Sequence, residues 1–195
     1  GTAKDRTPTI YVGANGGMLH GFNAEPSTAS ADAGKEVLAY VPESLFSDAS
    51  QEGLHYLTDP NFVHEYYVDL TSIAQDAYIK RTTTGSKDWR TMLVGGLRGG
   101  GKGIFALDVT DPTEFSQAGT SPADIVLWEF SSDDDDDMGY MTSTPMVTMM
   151  ENGEWAVIFG NGYESDNGAA KLFILFIEEG LDGTWTTGSD YIEID

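Results

Sequence analysis

The chain has 195 residues, of which 40% are hydrophobic and 11% aromatic, so it can bury a core and is not a disordered tail. It carries 32 acidic against 10 basic side chains, a formal net charge of -22, which excludes sequence-independent binding to the phosphate backbone of nucleic acids. It has no cysteine, which excludes disulfide frameworks and a cysteine nucleophile, and no apolar run nears the roughly 18 residues that membrane insertion of a helix needs.

Short apolar runs rich in Val, Ile, Phe and Tyr alternate along the chain with clusters of Gly, Asn and Asp, which is typical of strands and turns. Short helices are predicted only at residues 42–46 and 72–78. The apolar runs predict strands at residues 9–12, 18–22, 36–41, 65–70, 91–94, 104–109, 125–130, 146–149, 155–159, 171–177 and 191–194.

An internal repeat appears when these runs are aligned. Each copy has a strand, a glycine-bearing turn and a second strand, and a third element with an aromatic side chain follows it: Tyr40, Trp128 or Trp185. A lone sheet of this size cannot bury both faces, but sheets stacked radially around an axis can. The repeat therefore predicts a β-propeller in which these aromatic side chains fill the space between blades. The copies span residues 10–24, 92–108 and 157–176.

The predicted fold class is all-β: a partial β-propeller of about three blades of antiparallel meander sheets with quinoprotein-like repeats. The copies lie farther apart than the roughly 40–50 residues of a minimal blade, which predicts irregular insertions at about 42–64 and 71–90. Because propellers typically have about four to eight blades, residues 1–195 are predicted to form one domain that is a fragment of a larger propeller. Open sheet edges would make an edge-paired homodimer possible.

Five adjacent carboxylates at residues 133–137 are the sharpest charge feature of the chain. Their mutual repulsion would be relieved by a hard cation with oxygen ligands, so Asp133, Asp135 and Asp137 are candidate calcium ligands. The ligand spacing of an EF-hand is missing, and a solvated loop is the alternative. No cofactor other than calcium is suggested. The sequence from Asp166 to Gly168 predicts a turn, with a ligand loop as the alternative.

Several stretches, in the same order and over nearly the whole chain, resemble the carboxy-terminal propeller of PilY-type (PilC-like) type IV pilus proteins. A Gly-Asn-Gly-Tyr sequence at residues 160–163, after a strand that begins at Trp155, is distinctive, whereas the glycine hairpin alone is shared with quinoprotein-like propellers. The other matching stretches are residues 11–24, 37–42, 64–69, 89–96, 103–112, 127–130 and 138–145.

The resemblance implies a non-enzymatic protein at the pilus tip, on the extracellular or outer-membrane surface of a bacterium. It would take part in adhesion, pilus assembly and control of retraction, with pilus subunits or a host or surface receptor as partners. The blade faces and the two insertions are the expected contact surfaces, since loops on a rigid scaffold usually carry binding. The alternatives are a fragment of a quinoprotein-like dehydrogenase and a carbohydrate-binding propeller.

The resemblance also implies a calcium-binding loop that alternates carboxylates as Asp-x-Asp-x-Asp/Asn with a later Asp. No stretch of this chain matches that motif. The calcium-switch role that the family's loop has is therefore assigned to none of these residues.

Overall fold

The structure is a computed structural model that describes residues 6–47, 49–115 and 124–195. Within these ranges the chain forms strands and short 3-10 turns and no α-helix, which confirms the all-β prediction, and no helical segment there has the length and hydropathy of a membrane span. The strands are β1 (Thr9–Ala14), β2 (Met18–Asn23), β3 (Glu36–Tyr40), β4 (Ile73–Ile79), β5 (Asp88–Gly96), β6 (Gly103–Asp108), β7 (Val126–Ser131), β8 (Met146–Met149), β9 (Trp155–Gly160), β10 (Leu172–Phe176) and β11 (Tyr191–Ile194).

The strands form three antiparallel sheets, each made of strands that are consecutive in the chain. Sheet 1 has the order β1-β2-β3, sheet 2 the order β4-β5-β6-β7, and sheet 3 the order β8-β9-β10-β11. When the copies of the sequence repeat are aligned, β1 corresponds to β5 and to β9. Sheet 1 thus has no counterpart of β4 and β8 among the described residues, and the outer edge of β1 is unpaired there.

Two hydrophobic clusters hold the sheets face to face. Strand β5 contributes side chains to both clusters, because successive side chains of a strand point to opposite faces of the sheet. Met92 and Val94 lie in the cluster between sheets 2 and 3, and Leu93 lies in the cluster between sheets 1 and 2. Full burial of one such side chain is worth about 1.5–3 kcal/mol, so strand β5 is central to the packing of all three sheets.

Aromatic side chains of the third strands fill the space next to the neighbouring sheet, as the repeat predicts. The ring of Tyr40 on β3 packs 5.0 Å from that of Phe105 in sheet 2. The indole of Trp128 on β7 lies 5.4 Å from that of Trp185, which precedes β11. The first pair is tilted and the second is edge-to-face, and aromatic pairs of these kinds stabilise an interface beyond the area that they bury.

Two connectors cross the ends of the strands and join one sheet to the next. The first connector, residues 66–72, leads into sheet 2, and its Val68 amide donates to the carbonyl of Ala14 at the end of β1. The second connector, residues 138–145, leads into sheet 3, and its Tyr140 amide donates to the carbonyl of Tyr163 at 2.8 Å. The first connector therefore links sheets 1 and 2 by main-chain hydrogen bonds, since its Leu70 amide also donates to the carbonyl of Gly96 in β5, and the second is tied to the end of β9 in sheet 3.

The structure corrects two predictions made from the sequence. Residues 65–70 were expected to be a strand, but the backbone there forms the first connector, whose hydrogen bonds go to the ends of strands. Residues 72–78 were expected to be a short helix, but residues 73–78 lie in strand β4, which pairs with β5, and residue 72 ends the first connector. Residues 73–79 therefore belong to sheet 2 and not to an insertion at 71–90. Residues 42–64 contain 3-10 turns at Glu43–Leu45 and Leu54–Thr58.

Candidate cation site and contact surfaces

The acidic run leaves the end of β7 and passes over the edge of sheet 3, where it meets strand β11. Asp135 and Asp137 lie beside Glu193 of β11, and one carboxylate oxygen from each of the three lies within 4.8 Å of the others. We call these three residues the carboxylate cluster. Asp133, the remaining candidate of the run, is exposed and is not part of this cluster.

Asp135 is held in place by hydrogen bonds to both of its carboxylate oxygens. Its Oδ1 accepts the main-chain N–H of Asp137 at 2.8 Å, and its Oδ2 accepts the hydroxyl of Tyr191 at 2.5 Å. Tyr191 is buried, and burial followed by its bond to Asp135 raises the pKa of its phenol, which keeps the hydroxyl protonated as a donor. The orientation of Asp135 is thereby fixed by the fold.

Asp137 is only 8% exposed, and its Oδ1 is buried without a hydrogen-bond partner. Its main-chain carbonyl accepts the side-chain amide of Asn161 at 2.7 Å, which anchors the loop to the end of β9. A buried carboxylate oxygen without a donor is costly. This atom therefore calls for a hydrogen-bond donor or a cation.

The ammonium group of Lys171 is the cation nearest to the cluster among the described residues, but it is directed elsewhere. It lies 3.6 Å from Oδ2 of Asp137 and 3.7 Å from Oε2 of Glu193, both too long for a hydrogen bond. Its short contact, at 2.5 Å, is to the exposed carboxylate of Asp195, which is the main cause of its raised pKa. The one ammonium group is thus shared with a fourth carboxylate, and the cluster keeps an excess of negative charge.

The environment of Glu193 disfavours the charged form of its carboxyl group. Burial, and then repulsion by Asp135, raise the pKa of the Glu193 carboxyl above its ordinary value. Sequence reasoning missed Glu193 because it is remote from the acidic run in the chain. The one local signal is its alternation with Tyr191, which places the acid on the inward face of β11.

The turn at Asp166 lies outside the carboxylate cluster. Gly168 has a positive φ of 67°, and its amide donates to the carbonyl of Ser165, which is the geometry of a tight turn. The carboxylate of Asp166 pairs with Lys102 at 2.6 Å. The predicted turn is thus present, and its acidic side chain contacts a lysine.

An open groove of about 380 Å³ lies where the first connector meets the glycine-rich turn between β5 and β6. Lys102 is on its wall, 5.9 Å from the ring centre of Tyr140. The groove combines aromatic, amide and charged groups, and part of its lining comes from the segment 42–64, which the sequence predicts as a contact region. Its lining includes Ser44, Glu52, Tyr66, Tyr67, Gly100 and Tyr140.

A second surface is formed by aromatic side chains that span two sheets. Trp89 of β5 is 61% exposed, and its ring lies 5.6 Å from that of Tyr78 on β4 and 6.2 Å from that of Trp155 on β9. The side chain of Met149, which pairs with Trp155 in the β8–β9 register, is also exposed. We call these four residues the aromatic patch. Clustered exposed aromatic side chains on a rigid sheet are typical of contact surfaces.

Antiparallel meander sheets stacked face to face through aromatic contacts, with open outer edges, define the chain as a segment of a β-propeller. The family model of the PilY1 beta-propeller domain matches residues 1–187. The chain belongs to this family, which confirms the resemblance found in the sequence and the prediction of a partial propeller.

Relatives and a solved structure agree with this assignment. The chain is 45% identical over 189 residues to a type IV pilus biogenesis factor PilY1 homolog of Xylella fastidiosa, covering 93% of the chain and 11% of that protein. It is 41% identical over 193 residues to the type IV pilus biogenesis factor PilY1 of Pseudomonas aeruginosa, covering 95% of the chain and 14% of that protein. The crystal structure of the Pseudomonas aeruginosa PilY1 C-terminal domain aligns with a TM-score of 0.63 at 39% identity, covering 90% of the chain and 29% of that structure.

Proposed function

We propose that the chain is part of a non-enzymatic type IV pilus biogenesis factor that acts at the pilus, on the outer surface of a bacterium, through surface contacts. The names of the relatives support the pilus role, and the chain spans 11% to 14% of their length. Roles in adhesion and in control of retraction belong to the same proposal. The relatives give no support to a quinoprotein-like dehydrogenase or a carbohydrate-binding propeller.

The observation that carries a contact role is the aromatic patch. Trp and Tyr are enriched among the residues that contribute most to protein–protein binding, and they are costly to leave exposed. Trp89 is 61% exposed although it lies in a well-packed strand, and it belongs to neither hydrophobic cluster. We therefore place the main contact with a pilus subunit at this patch.

The test is a Trp89→Ala substitution in the full-length protein that contains this chain, expressed from its own gene in the bacterium. We expect fewer surface pili, measured as pilin sheared from the cells, at an unchanged level of the protein. Truncation of a central interface tryptophan commonly costs about 2 kcal/mol or more of binding free energy. Adhesion of the same cells to a surface is the second readout.

Phe46→Ala is the matched control, since Phe46 is 68% exposed and lies in the segment 42–64, the other surface for which the sequence predicts contacts. The proposal predicts normal piliation for this variant. Loss of pili with Phe46→Ala but not with Trp89→Ala would contradict the placement of the contact. Loss of adhesion alone with Trp89→Ala would identify a surface receptor, and not a pilus subunit, as the partner.

A second copy of the chain is the remaining partner that we consider, because no strand of the described residues pairs with the outer edge of β1. Ile10 and Val12 of β1 are exposed beside this edge, and an unpaired edge is a template for pairing with another strand. Light scattering of the chain at high concentration tests this directly. A mass that stays at one chain excludes the edge-paired homodimer.

A further inference from the structure

We propose that Asp135, Asp137 and Glu193, the carboxylate cluster, bind one Ca²⁺ ion that ties the loop after β7 to strand β11. This site goes beyond the proposed contact function and does not depend on it. It is formed by two segments that are distant in sequence, and it lacks the alternating Asp-x-Asp-x-Asp/Asn motif of a single calcium loop.

The donor set selects a hard cation. All three side chains offer carboxylate oxygens, and no histidine or cysteine takes part, which disfavours zinc and other transition metals. Calcium binds oxygens at about 2.3–2.6 Å, so oxygens around one ion lie at most about 5.2 Å apart. The three oxygens lie within 4.8 Å of one another and meet this condition.

A second observation points independently to a bound cation, namely the Oδ1 atom of Asp137. This atom is buried in a residue that is 8% exposed, and it receives no hydrogen bond. Nearly all buried polar atoms in native proteins have a partner, so an exception calls for one that is missing. A cation bound by the carboxylate of Asp137 would supply it.

The protein scaffold orients the cluster before any ion arrives. The Tyr191 hydroxyl and the Asp137 amide fix Asp135, and Asn161 fixes the backbone at Asp137. Lys171 does not replace the ion, because its short contact is to Asp195 and its distances to the cluster are 3.6 Å and 3.7 Å. The excess of negative charge that remains at the cluster favours a divalent cation.

Terbium luminescence tests the site on the full chain. Tb³⁺ takes the same oxygen ligands as Ca²⁺, and the phenol of Tyr191, bonded to Asp135, lies close enough to transfer excitation to it. We expect emission from Tb³⁺ when tyrosine is excited, and we expect CaCl₂ to quench it by displacement more effectively than MgCl₂. Calorimetric titration with CaCl₂ alone gives the affinity.

Two variants and one control locate the ion. Glu193→Gln and Asp137→Asn should each weaken Ca²⁺ binding by about tenfold or more, because calcium affinity follows the number of charged ligands. Asp133→Asn removes the same charge from the exposed part of the acidic run and should change the affinity less than about twofold. The contrast separates a built site from general attraction to an acidic loop.

Two results would overturn the proposal. One is binding that Asp133→Asn weakens as much as Glu193→Gln does, which means diffuse attraction to the run. The other is absence of calcium-specific binding to the unaltered chain. If Glu193→Gln does not fold, thermal melts of the unaltered chain in Ca²⁺ and in Mg²⁺ at matched ionic strength decide, since a site in the native state raises the melting temperature only with its own ion.

Discussion

The hydroxyl of Tyr40 on strand β3 donates a hydrogen bond to the carboxylate of Glu129 on strand β7, and this bond joins sheet 1 to sheet 2. The same carboxylate accepts the main-chain N–H of Glu43 at 2.8 Å, at the start of the 3-10 turn that follows β3. One acidic side chain of sheet 2 thus binds both strand β3 and the 3-10 turn that follows it.

Replacing Glu129 by Ala should lower the free energy of unfolding by about 2 kcal/mol, because the Tyr40 hydroxyl and the Glu43 amide both lose their acceptor. Urea unfolding of the chain measures the effect. Tyr40→Phe is the matched control and should cost about 1 kcal/mol, since it removes one bond and leaves the cap of the turn. Equal losses in the two variants would mean that the capping bonds contribute nothing.

Alkaline pH should destabilise the fold through Tyr40. Burial, and then the charge of Glu129, raise the pKa of this phenol far above its ordinary value of 10.0. The native state disfavours the phenolate, so the contribution of Tyr40 to stability is complete below pH 10 and is lost as the pH rises above that value. Unfolding followed by circular dichroism from pH 8 to 11 (about the range set by the ordinary pKa) should show a decline that Tyr40→Phe reduces. A decline of the same size in both proteins would assign the effect to other groups.

Gly162→Ala should disrupt the contact between the second connector and sheet 3. Gly162 has a φ of 87°, and a Cβ there would collide with the carbonyl of Tyr140. Gly168 has a φ of 67° but open space around it, so Gly168→Ala carries only the backbone cost of about 1–2 kcal/mol. Thermal melts should show a clearly larger loss for Gly162→Ala. A loss no larger than that of the control would show that the connector can move aside.

The carboxylate of Asp108 is the buried centre of an ion pair, with the guanidinium of Arg90 at 2.8 Å and a side chain only 2% exposed. Asp108→Ala leaves that guanidinium without its partner and should cost about 3–5 kcal/mol in urea unfolding. Asp32 makes a comparably short pair with Lys35, at 2.6 Å, but both side chains are exposed. Asp32→Ala should change stability by less than about 0.5 kcal/mol, and a similar loss in both would refute the role of burial.

The sequence predicts most strands because their apolar runs are short and bounded by turn residues, and residues 146–149 and 191–194 are strands with the predicted bounds. Strand β4 was misread as a helix because its apolar residues include exposed positions such as Tyr78, which hide the alternation between Ala77 and Ile79. The stretch 65–70 has strand composition, but its backbone bonds are taken by the ends of two sheets. Both errors arise from tertiary contacts that local propensity does not contain.

The candidate cation site was only partly predictable for a related reason. The acidic run shows an excess of charge, yet the sequence cannot say which of its members turn inward. The fold selects Asp135 and Asp137 and leaves Asp133 in solvent. Glu193 joins them only through the packing of β11 on the edge of sheet 3, a relation that needs the three-dimensional structure.

The consecutive order of strands within each sheet also has a kinetic consequence. Sheets 2 and 3 pair only strands that are neighbours in the chain, so the contacts within each sheet are local in sequence, which favours fast pairing. We expect each sheet to complete its own pairing before it docks on the previous one through its connector. During synthesis, the apolar face of each finished blade then stays exposed to solvent until the next blade packs against it. The blades are therefore assembled in the order in which they are translated.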